Sequence, residues 1–363
     1  MTKMMITTKT MTSMMTSLTT SNSEVNTMGC NLKDLVRPES IDLNDLAGER
    51  VAVDVFLSAY QFITAMTSED GRPLSRDGKP VAHIMGFLDR ATALIAAGID
   101  PVFVFDGRPH SLKQDTLNER RDRKTNAQIR WKVAIEEGDM KAAKKIGPQI
   151  AEYTREMVQE TKDLFDTLGV AWIEAPMEAE GAAAVRARRG ELHAVATQDW
   201  DALLYGSPIM IRNLMSHGTR KFGRTLTAEK IVLSDVLEEH EITQEQLVDL
   251  GIMIGTDFHP GFRGIGPKTG LKLIKAHGTL ESVAEVKGHI VPENIDDIRE
   301  LFHNHPIHTD VNLPETGRAV EEQIRHFVQK ERGFSENRTE RALERLASVG
   351  RLRSESKPTL FDF

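Results

Sequence analysis

Arg50-Val51-Ala52-Val53-Asp54 and Pro101-Val102-Phe103-Val104-Phe105-Asp106 are two short runs of β-branched and aromatic residues, and each stops on an aspartate. Residues 192–199, LHAVATQD, repeat the theme, and 208–212, PIMIR, read as a further strand. Between them lie stretches with apolar residues at helical spacing, 81–97 and 154–168 among them. Strands alternating with helices predict an α/β fold with a mostly parallel central sheet. In such sheets, sites form outside the carboxyl ends of the strands. Three strands ending in aspartate therefore predict Asp54, Asp106 and Asp199 on one rim.

Further acids stand in comparable places. Glu178 and Glu180 belong to Ala175-Pro176-Met177-Glu178-Ala179-Glu180, where proline suits the first turn of a helix and acids favour its N-terminus. Asp201 follows Asp199 by two, and Asp257 comes after Gly255-Thr256 in the turn beyond an apolar helix. Any one of these acids taken alone reads better as an ordinary surface carboxylate. As an ensemble of hard oxygen donors without cysteine or histidine partners they suit Mg²⁺, with Mn²⁺ as a substitute, rather than zinc. Two such ions about 3.5–4 Å apart can activate a water and stabilise the leaving oxygen of a phosphodiester. Mg²⁺ keeps many of its waters, so additional acids are needed to orient them.

Length and composition fit this reading. A chain of 363 residues can bury a substantial core. No apolar run approaches the ~20 residues that span a bilayer, so a soluble protein away from the membrane is expected. Cys30 is the single cysteine, which excludes an intramolecular disulfide and a multi-thiolate zinc site. The formal net charge is −8, but the seven carboxylates named above supply much of it, so it neither favours nor excludes a nucleic-acid partner. Residues 1–27 are almost wholly Met, Thr, Ser, Asn and Lys and lack the apolar stretch of a secretory signal. They read as a disordered extension or a misassigned start before Met28, with a mitochondrial presequence as the alternative.

Residues 113–145 carry ten cations, including Arg121, Arg123, Lys124 and Arg130, against six carboxylates and read as helical. Lys113 and Arg120 are seven apart, so they project from one helix face two turns apart, as a solvated face or a functional one. Residues 244–255 and 267–277 predict two helices joined by a short glycine-rich turn, and 318–349 a mostly charged helix. Gly264-Ile265-Gly266-Pro267-Lys268 opens the second helix of that pair, where free N–H groups can hold a phosphate oxygen. His83 reads as a structural residue, and clustered His303, His305 and His308 leave a nickel or zinc site open.

Together, Met28-Gly29, Val51-Ala52-Val53-Asp54, Val104-Phe105-Asp106-Gly107, Glu178-Ala179-Glu180, Gln198-Asp199-Trp200-Asp201, Gly255-Thr256-Asp257 and Gly264-Ile265-Gly266-Pro267-Lys268 form a specific pattern. It resembles the flap endonuclease branch of the xeroderma pigmentosum G nuclease superfamily, its archaeal members above all, from residue 28 to about 346. The resemblance implies a PIN-like fold and structure-specific 5′ flap cleavage of branched DNA, with some 5′–3′ exonuclease action, in Okazaki-fragment maturation and repair. The compact length, without a long insertion before Glu178, favours the flap type over 5′ exonucleases and bubble-cutting endonucleases. All seven acids are in place, against a non-catalytic junction scaffold, and the helix–hairpin–helix disfavours a PIN-type ribonuclease.

The resemblance also implies roles. It makes Asp54, Asp106, Glu178, Glu180, Asp199, Asp201 and Asp257 ligands of two metal ions or their supporting shell. It places Lys113 and Arg120 on a helical gateway over the metals, acting on the scissile phosphate. It makes Tyr60 a platform for the junction base, against the competing reading of a half-buried core tyrosine. Gly264, Gly266 and Lys268 would grip duplex DNA without reading sequence, beside a K⁺ ion. Gly29, freed by removal of Met28, would lie close to the metals. The expected setting is a monomer in an archaeal cytoplasm, associated with the nucleoid.

The tail departs from the family's sliding-clamp peptide. Leu360, Phe361 and Phe363 offer the aliphatic and aromatic anchors, but the glutamine and the final aromatic are missing, so clamp (PCNA) binding or a bare exposed tail both remain open. His110, Ser111 and Gly181 are smaller departures. The expected organisation is an extension over 1–27 and a nuclease domain over 28–349, followed by a flexible tail over 350–363. Within the domain, an N-terminal region (28–112) is followed by a helical arch (113–155) and an internal nuclease region (156–255). A helix–hairpin–helix region (256–310) and C-terminal helices (311–349) complete it.

Overall fold

A computed structural model describes residues 29–221, 223–309 and 312–353. The chain opens with β1 (Glu39–Ile41) and β2 (Arg50–Asp54), then α1 (Val55–Ala65), a small hairpin of β3 (Ser75–Arg76) and β4 (Lys79–Pro80), α2 (Ala82–Ala96) and β5 (Asp100–Phe105). The basic segment folds into α3 (Gln114–Glu136) and α4 (Met140–Ile150). There follow α5 (Arg155–Leu168), β6 (Ala171–Glu174), α6 (Ala179–Arg188), β7 (Ala194–Ala196), α7 (Asp201–Leu204) and β8 (Ile209–Arg212). A hairpin of β9 (Arg220–Lys221) and β10 (Arg224–Thr225) leads to β11 (Ala228–Val232) and the helices α8 (Leu233–His240), α9 (Gln244–Ile254), α10 (Pro267–His277), α11 (Leu280–Lys287) and α12 (Ile295–His303). The last elements are β12 (Ala319–Val320), α13 (Glu321–Arg325), α14 (Glu336–Ser348) and β13 (Leu352–Arg353).

Seven strands form the central sheet in the order β1-β11-β8-β7-β2-β5-β6. The five strands from β8 to β6 are parallel, and β1 and β11 close one side antiparallel. Alternation along the strands feeds two cores. Ala52, Val102, Val104 and Val195 face α6, α9 and α12 on one side. Val51, Val53, Phe103, Phe105 and Ala196 face α1, α2, α5 and α14 on the other, where Phe103 stacks on Phe165 at 4.1 Å. This is the α/β sheet expected from the sequence. Among the described residues no helix is long and apolar enough to cross a membrane.

Several local expectations are corrected. The strand read over 192–199 is only Ala194–Ala196, because Thr197 turns the chain and donates its hydroxyl to Asp54. Pro176 stands ahead of α6 rather than in its first turn, and Glu178 occupies the N-cap. The connection between α9 and α10 spans twelve residues, 255–266, not a short turn. The single charged helix read over 318–349 is broken into β12, α13, a π-helical stretch at His326–Glu331 and α14, with Gly333 at φ +64° ahead of α14. Leu352–Arg353, at the head of the segment expected to be free tail, pair in parallel with Ala319–Val320. The extension 1–27 and the clamp-like residues Leu360, Phe361 and Phe363 lie outside the described residues.

The pair α3 and α4 forms a long antiparallel hairpin over the sheet's C-terminal rim. At 23 residues α3 is about 34 Å long, yet only Ala127 and Ala134 along it are buried. Its seat is the loop after α1. Trp131 Nε1 donates to the Asp70 carbonyl at 2.8 Å, and the Arg72 guanidinium lies 5.1 Å from the Trp131 ring. Gly147 of α4 packs backbone to backbone on Gly71, since a Cβ there would meet Gly71 at 2.2 Å.

Candidate metal centre

The register of the parallel strands assembles the centre. Val53 pairs with Phe103 on one side and Ala196 on the other, so Asp54, Asp106 and Asp199 leave three adjacent strands at one rim. Asp54 also caps α1, accepting from the Leu57 N–H at 3.1 Å, and takes the Thr197 hydroxyl at 3.2 Å. Asp106 accepts the Ala179 N–H at 2.8 Å and so fixes the start of α6, where Glu178 and Glu180 stand. Asp106, Glu178 and Glu180 each offer an oxygen within 4.8 Å of the others. Asp201 opens α7 and accepts the Cys30 N–H at 2.7 Å. Asp257 lies in the turn after α9.

Electrostatic reach joins all seven acids. Glu180 feels Asp54, Asp106, Asp199 and Glu178, and Asp201 feels Asp257 and Glu178. Burial, only partly offset by hydrogen bonds, pushes the Asp54 carboxyl up to about 6. Enclosure by protein, then the charges of Asp54 and Glu178, pushes Asp106 up to about 7, although its side chain reaches the opening. Burial and the charge of Asp257 push Asp201 up to about 7, and burial with neighbouring carboxylates raises Glu180 and Asp199 well above the usual range. These acids are short of positive charge. That deficit, with an all-oxygen donor set, fits hard divalent cations.

Two side chains bring positive charge directly onto these acids. Lys113 pairs with Glu178 and reaches Asp257 Oδ2 at 3.1 Å, and Arg120 Nη2 reaches Asp257 Oδ1 at 2.6 Å. Asp257 goes the other way: burial raises it, but Lys113 and Arg120 outweigh burial and hold it below the ordinary carboxylate range. Lys113 does not share a helix with Arg120 as its spacing suggested. It ends a 3₁₀ turn, Ser111–Lys113, and precedes α3. Both cations still converge on the one carboxylate.

The surroundings give the centre two openings. A cavity of about 250 Å³ holds the carboxylates against an apolar wall that includes Phe56, Tyr153 and Val158. A groove of about 920 Å³ runs from Gly29 and Asn31, past Arg120 and Asp257, to Ile265, Gly266 and Pro267. Gly29 therefore lies at the centre. Its φ is +73°, and a Cβ there would stand 2.0 Å from Asp199 Oδ1. Gly266 caps α10 with Pro267 behind it, and a Cβ on Gly264 or Gly266 would meet nothing within 4 Å, so that backbone is open to a ligand. Lys268 is largely exposed, 3.7 Å from Asp34.

Tyr60 is half-buried, its ring 5.0 Å from Phe56, so part of it belongs to the core and part faces outward. His83 is structural, paired with Glu160 at 3.0 Å. His303, His305 and His308 form no ligand cluster among the described residues. Sequence reading missed Thr197, the Cys30 N–H and Thr116, whose hydroxyl donates to the Asp257 carbonyl at 2.8 Å. A hydroxyl residue just after a strand could have flagged Thr197 as a turn-former. Thr116 gives no local signal, because its partner is 141 residues away.

Comparison with known proteins agrees with this geometry. Residues 28–127 match the XPG N-terminal domain and residues 169–257 the XPG I-region. Flap endonuclease 1 of Methanosarcina barkeri is 40% identical over 335 residues, covering 91% of this chain and 98% of the relative. Flap endonuclease 1 of Aeropyrum pernix is 38% identical, covering 92% and 99%. The solved flap endonuclease-1 from Methanococcus jannaschii superposes with a TM-score of 0.70 at 32% identity, over 88% of this chain and 99% of that one. The catalytic core of Rad2, at 22% identity and a TM-score of 0.65 over 88% and 97%, shares the fold. With likeness of this depth spread over nearly the whole length of its relatives, the chain belongs to the flap endonuclease 1 family of XPG nucleases.

Proposed function

We propose that the chain is an Mg²⁺-dependent, structure-specific 5′ flap endonuclease, with some 5′–3′ exonuclease action, serving Okazaki-fragment maturation and DNA repair as a monomer. One observation carries this reading: seven carboxylates from five separated segments gather at a single rim, beside two cations on a gateway over that rim. Bound among these carboxylates, two Mg²⁺ ions, or Mn²⁺ in their place, would supply an acidified water and neutralise the leaving oxygen. In the hydrolysis, water oxygen bonds to phosphorus, the phosphorus bond to the leaving oxygen breaks, and that oxygen takes a proton.

The chain's own residues place the phosphate. Lys113 and Arg120, paired here with Asp257, would offer charge-assisted donors to an incoming scissile phosphate. Asp54, Asp106, Glu178, Glu180, Asp199, Asp201 and Asp257 would hold the metals or orient their waters. The outward part of Tyr60 takes the junction base. Gly264, Gly266 and Lys268 take the duplex backbone, with K⁺ at the hairpin. The mature chain starts at Gly29 or Met28, and Leu360, Phe361 and Phe363 offer a reduced sliding-clamp peptide.

The test is a labelled double-flap assay in Mg²⁺, with blunt duplex and bubble DNA as comparators and Asp201→Asn as control. Preferential cutting of the double flap, lost in Asp201→Asn, is the expected result. Full turnover by Asp201→Asn removes the metal assignment, and preference for the bubble moves the chain to another branch of the superfamily.

A further inference from the structure

Gly181 follows Glu180 on α6, and the space a side chain would fill there is taken by an imidazole. A Cβ built on Gly181 would stand 2.4 Å from His305 Cδ2 and 2.7 Å from its Nε2, far inside van der Waals contact. His305 comes two residues after α12 and is 3% exposed. Its Nδ1 faces the Pro306 carbonyl at 3.0 Å, so that nitrogen must carry the proton and donate. Nε2 is left as a buried acceptor with no partner among the described residues. An orphaned buried nitrogen is a cost that needs a reason.

The reason offered by the geometry lies on the other side of the ring. His305 packs edge-on to Tyr205, centroids 5.1 Å apart at 82°. Tyr205 is the C-cap of α7, the short helix that Asp201 opens. The imidazole thus sits between α6, which carries Glu178 and Glu180, and α7, which follows Asp199 and begins at Asp201. From Tyr205 an unbroken aromatic row continues through Phe302 (4.9 Å) to Phe258 (5.5 Å), and Lys113 Nζ lies 5.3 Å from the Phe258 ring. Burial, with Lys113 and His110 nearby, pushes the His305 pKa down to about 4, so a neutral ring fills the gap.

We propose that His305 is a positioning residue for the metal centre, a wedge that sets α6 against α7 and fits only because position 181 is glycine. It touches no reacting atom and acts through the spacing of the Glu178/Glu180 pair and the Asp199/Asp201 pair. The proposal rests on those carboxylates being the metal site, as read above. Residues that orient ligands from behind typically change metal affinity or activity by 10–100-fold when removed.

The experiment uses the full chain with double-flap DNA and compares His305→Ala, His305→Phe, Gly181→Ala and the Gly181→Ala/His305→Ala double variant, with Asp201→Asn alongside. Each is measured for Mn²⁺ affinity, by the spin-resonance signal of free Mn²⁺, for kcat and KM on the flap, and for Tm. His305→Ala is expected to weaken Mn²⁺ binding and lower kcat by about ten-fold with KM nearly unchanged. His305→Phe, which keeps the ring, retains both. Gly181→Ala loses at least as much as His305→Ala, and the double variant recovers, because the new methyl occupies part of the vacated space. If Asp201→Asn is inactive while His305→Ala changes only Tm, or the double variant is no better than Gly181→Ala, the wedge is overturned and the nuclease reading stands. If Asp201→Asn keeps full turnover, the metal assignment falls and the wedge falls with it.

Discussion

At the scale of single residues, the centre divides into acids with no direct cation partner and two, Glu178 and Asp257, that have one. Asp201 offsets its burial with the Cys30 N–H and the more distant charge of Lys113, whereas Asp257 pairs directly with both Lys113 and Arg120. Asp201→Asn and Asp106→Asn keep the shape of the side chain and remove a charged oxygen donor. Each is expected to lower flap cleavage at least about 100-fold while equilibrium binding of the flap stays within a few-fold. A gel-shift and a single-turnover assay on the same preparation separate the two effects, and an unchanged cleavage rate in both variants refutes the assignment. Lys113→Ala tests the other half. It removes a donor aimed at the phosphate, so turnover falls by roughly 10²–10³-fold. It also removes a competitor for Glu178 and Asp257, so Mn²⁺ binds as tightly or more tightly. A loss of Mn²⁺ affinity would mean that Lys113 mainly supports the fold of the centre.

At the scale of elements, the gateway hairpin stands on very little. Its two helices bury few residues, and its seat on the α1–α2 loop consists chiefly of the Trp131–Asp70 hydrogen bond, the Arg72 contact and the bare backbone of Gly71 against Gly147. Gly147→Ala puts a methyl into that contact and must push α4 off the loop. The expected outcome is faster proteolysis around Gly138, at the turn between α3 and α4, with cleavage of flaps reduced several-fold and the Tm of the sheet domain little changed. Equal protease resistance in the variant would show that the hairpin does not depend on this seat. Elements are also where the sequence was most and least legible. The alternation in Val51–Val53 and Val102–Phe105 and the closing aspartates made the sheet and its rim readable from residue order alone. The break was written in Gly333 and Ser335, a helix stop followed by an N-cap, which a single helix over 318–349 passes over; the pairing of Leu352–Arg353 with Ala319–Val320 was not legible, since the strand partner is distant. For the centre, the seven acids were legible as residue types at chain turns. What was not legible was the support behind them, Thr197, Thr116 and the Cys30 N–H, because hydrogen bonds across more than a hundred residues leave no local pattern.

At the scale of the whole molecule, crowding acids at one rim couples folding, pH and metal. Asp54 is raised to about 6, Asp106 and Asp201 to about 7, and Glu180 and Asp199 are raised well above the usual carboxylate range. In the unfolded chain the same groups titrate near 4. Between those values the folded state holds protons that the unfolded state has released, so stability falls as pH rises through this window. The buried histidines act the other way and elsewhere: burial lowers His83, and His305 is lowered to about 4, so both cost stability only below about pH 6.5. Above pH 6.5 the carboxylates dominate. The metal-free protein in chelator is therefore expected to lose about 2 °C in Tm between pH 6.5 and 8. Divalent cations displace those protons and bind only the folded arrangement, so saturating Mn²⁺ should abolish or reverse the decline. Asp106→Asn, which has no proton to release, should flatten the metal-free slope. Differential scanning calorimetry across this range, with and without Mn²⁺, decides the matter: a metal-free Tm that rises from pH 6.5 to 8 would mean that the acids are already satisfied by the protein and need no cation.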